Sequence, residues 1–404
     1  MSSENPRNLI RSWTLQSAWA TGQTVEDKLT PPDYGRIRTP FVHTWREQTL
    51  DNNLDWGTNR YSIYLPESLR VVSSMFLKID VSENSSISAS ATADFKKYPG
   101  LYAMREFKLL SAGQEVYTCN VQDFLVDYME SLTDEQVRRF SETYLGHQQT
   151  IGSAARTILI PLLMPNSAYL GRAGGSRGHG IFPCFLGQNR AEIQISMNEA
   201  NHLSSSTAQQ PASIAGSCSL VYHQVEMTSN NILRYSDLRG AYSLVGRRFT
   251  ELTSGYQSAS ANTEVIIKNQ QPQGTVTEIM VIAVPAAQAT DDRIDRTAQV
   301  LPSQITVTAD SIDQKVLDAD YKIKAELWTN GFVPPTDFPS PGRCCFAAHA
   351  SEATHQYSGG YNMTLASNVH FKIKFKQDVR FRVVAVQLQR TKIDSLGIIR
   401  SYLE

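Results

Sequence analysis

Three stretches hold residue types that could do chemistry. The first is Gly171-Arg172-Ala173-Gly174-Gly175-Ser176-Arg177-Gly178-His179-Gly180, whose backbone N–H groups could cradle a phosphate. Such a cradle needs a strand before it, a helix N-terminus after it and a lysine at fixed offset. Here an apolar, strand-like run follows and the stretch has no lysine, so it reads as a surface loop. In the second, His349 and His355 flank Glu352 near Cys344 and Cys345. That spacing fits no usual zinc pattern, and adjacent cysteines chelate poorly. In the third, Asp291, Asp292 and Asp295 stand beside Arg293 and Arg296 and read as a solvated charged turn, not as paired catalytic carboxylates. There is no G-x-S-x-G elbow, and no Cys/His pair stands out. No catalytic, cofactor-binding or metal-binding residue is assigned, and neither an enzyme activity nor a cofactor is expected.

The elements around these stretches are mostly strands. The clearest local signal is Arg105 to Phe140. A strand over Phe107 to Leu110 meets a turn at Ser111-Ala112-Gly113-Gln114, where Gly113 takes a positive φ at no steric cost. A second strand follows over Glu115 to Thr118. Then the period changes: Val121, Phe124, Leu125, Tyr128 and Leu132 recur at helical spacing behind Asn120, a plausible N-cap. Thr133 and Gln136 form a capping-box pattern for another short helix carrying Val137, Phe140 and Tyr144. A β-sandwich with one helical insertion at its rim fits this order.

Upstream, Tyr61, Ile63 and Leu65 alternate, and Leu69 to Val81 is a longer strand. Ser82 to Asp94 is a polar loop. Downstream, the apolar run Ile158 to Met164 suits a strand buried on both faces, and Ile193, Ile195 and Met197 alternate with polar residues. Cys218 to Met227 closes this first set of strands, and 228–245 reads as a linker. Strands resume over Thr263 to Lys268, Thr275 to Val284 and Gln304 to Thr308. Tyr321, Ile323, Ala325 and Leu327 alternate with Lys322, Lys324 and Glu326, which predicts a strand; so do Phe371, Ile373 and Phe375, and then Phe381 to Leu388. Asn330 to Gly360, with four prolines, reads as one long loop. The six to eight strands per half have sandwich-like spacing and no evident sequence repeat between the halves.

At 404 residues, two domains are expected. Net charge is -1, which gives no signal of non-specific nucleic-acid binding. The 19% charged fraction lies below the usual ~25%, with Ser, Thr, Asn and Gln filling the gap. No apolar run approaches the roughly 18 residues of a membrane span. Residues 1–25 lack an apolar h-region, so no secretory leader is expected. Cysteines 119, 184, 218, 344 and 345 form no spaced framework and read as reduced thiols of a protein made inside a cell. Residues 1–40 carry four prolines, near-balanced charge and two tryptophans, Trp13 and Trp19. Exposed tryptophans are costly, so this stretch reads as an arm that docks on a neighbouring surface, with Trp13 and Trp19 as its interface residues.

Several motifs, in order, resemble the double jelly-roll major capsid proteins of eukaryotic DNA viruses, in the lineage of nucleocytoplasmic large DNA viruses, virophages and polinton-like elements. FKLLSAGQEVYTCNVQDFLVDYMESLT resembles that family's strand, G-G-Q-x-I turn, strand and helix ending in E-x-L-T. ILIPLLMPN resembles its I-P-L-P-F segment, and IFPCFLGQNRAEIQISM its L-P-L-x-x-L-x-x-x-x-V-x-I-x-I segment. CSLVYHQVEMTSNNILRYSD resembles the strand that closes the first jelly roll and exits into the linker. YSGGYNMT resembles a P-S-G-x-x-N turn, with Tyr357 where proline is common, and VRFRVVAVQLQRTKIDSLGIIRSY resembles the final strand and tail. The resemblance covers about 45–403.

It implies an all-β fold of two tandem eight-stranded jelly-roll β-sandwiches, with a short helical insertion in the first. The divisions are an arm over 1–40, a first jelly roll over 41–235 and a second over 236–404. It implies a hexon-like homotrimer of pseudo-hexagonal outline that tiles an icosahedral shell. Its partners would be itself, neighbouring capsomers, and penton and minor capsid proteins, with no specific nucleic-acid binding; an inner membrane is left open. Its place would be the virion, after synthesis inside a host cell. The alternative from the residues alone is a glycan-binding β-sandwich protein.

Overall fold

The computed structural model describes residues 41–52, 60–65, 70–81, 96–130, 134–147, 156–162, 190–203, 216–227, 243–268, 271–290, 296–330, 339–349, 357–394 and 398–403, and a few shorter pieces between them. Trp13, Trp19, the stretch 171–180 and Thr133 of the capping-box pattern lie outside the described residues.

Alternating apolar residues build eight principal strands in each half. In the first half these are β1 (Phe41–Asp51), β2 (Arg60–Tyr64), β3 (Arg70–Val81), β4 (Met104–Ser111), β5 (Gln114–Asn120), β6 (Arg156–Pro161), β7 (Ala191–Met197) and β8 (Gly216–Met227). They form two antiparallel sheets, ordered β1-β8-β3-β6 and β2-β7-β4-β5. In the second half they are β9 (Ser243–Glu251), β10 (Glu264–Ile267), β11 (Thr275–Pro285), β12 (Gln304–Ala309), β13 (Ile312–Leu317), β14 (Gly342–Cys345), β15 (His370–Lys374) and β16 (Val379–Ile393). Their orders are β9-β16-β11-β14 and β10-β15-β12-β13. Adding eight to each label of the first set gives the second. The chain therefore draws the same eight-stranded jelly roll twice.

The repeat extends to a turn. β4 and β5 join through Ala112-Gly113, with φ 51 and 77, and the ladder shifts register between Leu109 and Leu110. β12 and β13 join through Asp310-Ser311, with φ 53 and 63, and the shift falls between Val307 and Thr308. Two central residues at positive φ make type I′ hairpins, whose twist matches that of the strands. Without a glycine in the second turn, Asp310 steadies the region: its carboxylate accepts hydrogen bonds from the backbone N–H of Ser367 at 2.6 Å and from the Ser367 hydroxyl at 2.9 Å.

The predicted core residues Ile193, Ile195, Ile323, Leu327, Ile373 and Phe375 are all buried. In the second half one continuous apolar cluster joins Ile279, Val281 and Val383 of one sheet to Ile305, Val307 and Ile373 of the other. The sandwich core thus sits between the two sheets.

Two sequence expectations are corrected. Ile323 and Leu327 are not on a strand: Asp320–Thr329 is an α-helix. Only Ile323 and Leu327, four apart, are buried, while Tyr321 and Trp328 are exposed and Ala325 faces solvent. A run of Lys, Ala, Glu and Leu favours helix, and the same apolar residues satisfy either period over so short a stretch. The long loop over 330–360 is also interrupted. β14 lies within it, entirely buried and paired to β11 with Met280 opposite Arg343, and Ala347–His349 pairs with Tyr357–Gly359.

Grouped by spatial proximity, the chain forms two compact units. One comprises 1–125, 135–246 and 390–402; the other comprises 126–134, 247–389 and 403–404. Each unit thus includes a short piece from the other half of the sequence.

Candidate functional site

The helix after β5 prepares the most unusual group of side chains. The last residue of β5, Asn120, caps helix α1 (Val121–Glu130), its side-chain oxygen accepting from the Asp123 N–H at 3.3 Å. Of the expected stripe, Val121, Phe124 and Leu125 are buried, and Tyr128 and Leu132 are half-buried. So are Asp123, Asp127, Met129 and Glu130, which lie off that stripe. Helix α1 is therefore buried nearly all round, which a polar face does not suggest.

Asp127 and Glu130 stand three apart, on neighbouring positions of one helix face. They meet Arg247 of β9, Glu278 of β11 and Arg343 of β14. Arg247 Nη1 donates to Asp127 Oδ2 at 2.6 Å, and its other terminal nitrogen pairs with Glu278. Arg343 Nη1 lies 3.0 Å from Asp127 Oδ1 and 2.8 Å from Glu278 Oε2, while Arg343 Nη2 pairs with Glu130. All five residues are at most 5% exposed. Asp127 and Glu278 each bridge both arginines.

The electrostatics follow from the count. Two guanidiniums against three carboxylates, 2 − 3, leaves -1 if every group is ionised. Burial of that excess charge falls on Glu130. Loss of water drives its carboxyl above the usual range, Arg343 pulls it back, and Asp127 pushes it up again. For Arg343, burial works against the charge, but Glu130 and Asp127 outweigh it and hold the guanidinium pKa above its ordinary value. A raised folded-state pKa on Glu130 contributes stability in full below its ordinary value of 4.5. That contribution is lost as pH rises through the raised value. Melting temperature should therefore fall above pH 4.5 more steeply in the wild type than in Glu130→Gln. Calorimetry of both proteins in steps from pH ~4.5 upward checks this, and identical slopes would refute it.

The cluster was not legible as a site in the sequence. Glu130 is the glutamate of the E-x-L-T match, which marked it without giving its role. The motif residue Asn362 has a local task, accepting from the Thr364 N–H at 3.1 Å to cap a short 3₁₀ turn. The metal candidates named from the sequence lie only in part among the described residues, and the His349 side chain is not among them. Cys344 and Cys345 are buried in β14, Glu352 and His355 lie outside the described residues, and no three His, Cys, Asp or Glu side chains among the described residues are placed to hold a metal ion. Burial pushes the thiols of Cys119 and Cys344 up to about 12 and that of Cys218 up to about 11, so they remain protonated and poorly nucleophilic. Arg296 is fully buried and is not part of a solvated turn; Asp291, Asp292 and Asp295 lie outside the described residues. An open cleft of about 560 Å³ in the second unit is lined by Ser303, Gln304, Asp320, Tyr321, Lys374 and Lys376 among others, with Lys376 paired to Asp320. Tyr321 is its one aromatic lining residue.

No protein-family description matches the sequence, and no curated protein matches it. Solved structures do match. PBCV-1 VP54, fitted into a reconstruction of the virophage Sputnik, is 11% identical with a TM-score of 0.65, covering 91% of this chain and 97% of that one. The Faustovirus major capsid protein is 10% identical with a TM-score of 0.63, covering 98% and 99%. The mavirus major capsid protein is 9% identical with a TM-score of 0.55, covering 93% of each. At these identities the likeness establishes the fold: this chain has the double jelly-roll architecture of those proteins.

Proposed function

We propose that this chain is a major capsid protein, a structural subunit and not an enzyme, whose trimers of pseudo-hexagonal outline tile an icosahedral virion shell. The observation that carries the reading is the doubled strand order of this chain, in a fold that matches structures named as major capsid proteins nearly end to end. Two like sandwiches per subunit, three subunits per ring, give six similar wedges, the closed three-fold solution to six-fold packing. The functional divisions we propose are an arm over 1–40 and jelly rolls over 41–235 and 236–404. Its place would be the virion, and its partners further copies of itself and the proteins that close the shell's vertices and seams. The glycan-binding alternative calls for several aromatic rings over a cleft, and the cleft of the second unit offers Tyr321 alone.

Light scattering on the purified chain tests the reading. A trimer is expected, with each subunit contact burying more than the standard ~1,600 Å². A monomer at micromolar concentration would overturn it. Deleting residues 1–35 should leave the strands folded and reduce particle yield, and Trp13→Ala with Trp19→Ala should reproduce much of that loss. Normal particle yield from the truncated chain would remove the arm from the proposal.

A further inference from the structure

Residues 126–134 lie in sequence among the elements of the first half, yet they group in space with 247–389. The contacts that hold them there are charged and buried. Sheet alternation explains where. Ile279, Val281 and Ala283 of β11 face the sandwich core, so Glu278, Met280, Ile282 and Val284 face the other way. These four are buried too. Arg343, opposite Met280 in the ladder, projects to that same outer face. The outer face of this sheet is thus an apolar surface with two arginines and one glutamate set into it, and the acidic end of α1 lies against them.

We infer that Arg247 and Arg343 form a socket for the acidic end of α1, and that residues 126–134 are an obligate part of the second jelly roll. Removing the segment takes away two of the cluster's three carboxylates. Of the ion pairs described above, the two guanidiniums would keep only those to Glu278, 2 − 1, a surplus of +1 within the cluster on a face lined by Met280 and Ile282. Buried charge of that kind is not tolerated without partners. The fit is also geometric. Each guanidinium presents a planar fork of donors, which suits carboxylates placed side by side, and the three-residue spacing of Asp127 and Glu130 supplies two on one face. β14 has little room to move Arg343 aside. A Cβ on the neighbouring Gly342 would come within 2.5 Å of the Pro302 ring. The second half of the sequence therefore encodes a sandwich that is finished only when a piece of the first half docks on it.

The test is hydrogen exchange read by mass spectrometry on the full chain, comparing wild type, Asp127→Asn and Arg343→Ala. In Asp127→Asn, exchange should rise at least tenfold together in 126–134 and in β9, β11 and β14, with β4 and β7 of the first unit unchanged. Arg343→Ala should give the same pattern with larger amplitude. Three outcomes would overturn the inference: loss of protection confined to 126–134, loss confined to the strands of the first unit, or no change in Asp127→Asn. If Arg343→Ala unfolds throughout, the Asp127→Asn pattern decides.

Discussion

Arg343→Met lowers stability by about 3–5 kcal/mol, the cost of breaking a buried ion pair by removing one partner. The arginine touches Asp127, Glu130 and Glu278. Within the cluster of five, its loss leaves one guanidinium to three carboxylates, 1 − 3, a surplus of -2. Methionine keeps most of the apolar stem and so isolates the charge effect. The partner substitution gives the more diagnostic result. Arg343→Met with Glu130→Leu leaves Asp127 and Glu278 with Arg247, 1 − 2, back to -1, and replaces the lost pair with apolar contact. Swapping buried pairs for well-packed apolar residues is often neutral or stabilising. Most of the loss should therefore be recovered in the double variant, a strong coupling between the two sites. Denaturant unfolding of the four proteins of the cycle measures it. Additive losses would show that Arg343 acts through packing and not through Glu130.

Phe381→Ala costs a similar amount, about 3–5 kcal/mol, for a different reason. Phe381 lies in β16 opposite Ala283 of β11, with no exposed surface, and its ring centre is 5.3 Å from that of Phe375. Both rings belong to the cluster that joins the two sheets of the second sandwich. Truncation opens a cavity between sheets held in place by their ladders, so the walls can collapse only in part. Phe381→Leu fills most of that space and should cost visibly less. The melting temperature should drop by roughly 6–20 °C in the alanine variant. A drop of a degree or two would mean that the sheets close over the gap.

These two residues also show what could be read from sequence. Phe381 sits in a run where apolar residues announce a buried strand, and Phe375, Ile193 and Ile195 were legible for the same reason. The Ala112-Gly113 turn and the Asn120 cap were legible because each needs particular side chains. Arg343 hid its strand. β14 is four residues long, is preceded by prolines at 339 and 341, and carries a charge where an apolar residue would have signalled burial. Nothing local marks its partners Asp127 and Glu130 as buried, because their arginines lie more than a hundred residues away. The repeat between halves was equally invisible. Two type I′ turns with the same adjacent register shift are built from Ala-Gly in one half and Asp-Ser in the other, so geometry recurs where composition does not. In the helix Asp320–Thr329, four alternating residues were too few to separate a period of 2 from one of 3.6.

The exchange of short pieces between the halves sets a timetable for synthesis. Ribosomes deliver the chain from its N-terminus at about 5–20 residues per second. The first unit has most of its strands by residue 246, but it also includes 390–402. Those residues emerge roughly 7–30 s later at that pace. Until then the nascent first sandwich lacks its final piece, and residues 126–134 wait for a sheet that has not yet been translated. A message cut short before residue 390 would leave the first unit without 390–402. Completion of the first unit therefore waits on translation of almost the whole second half.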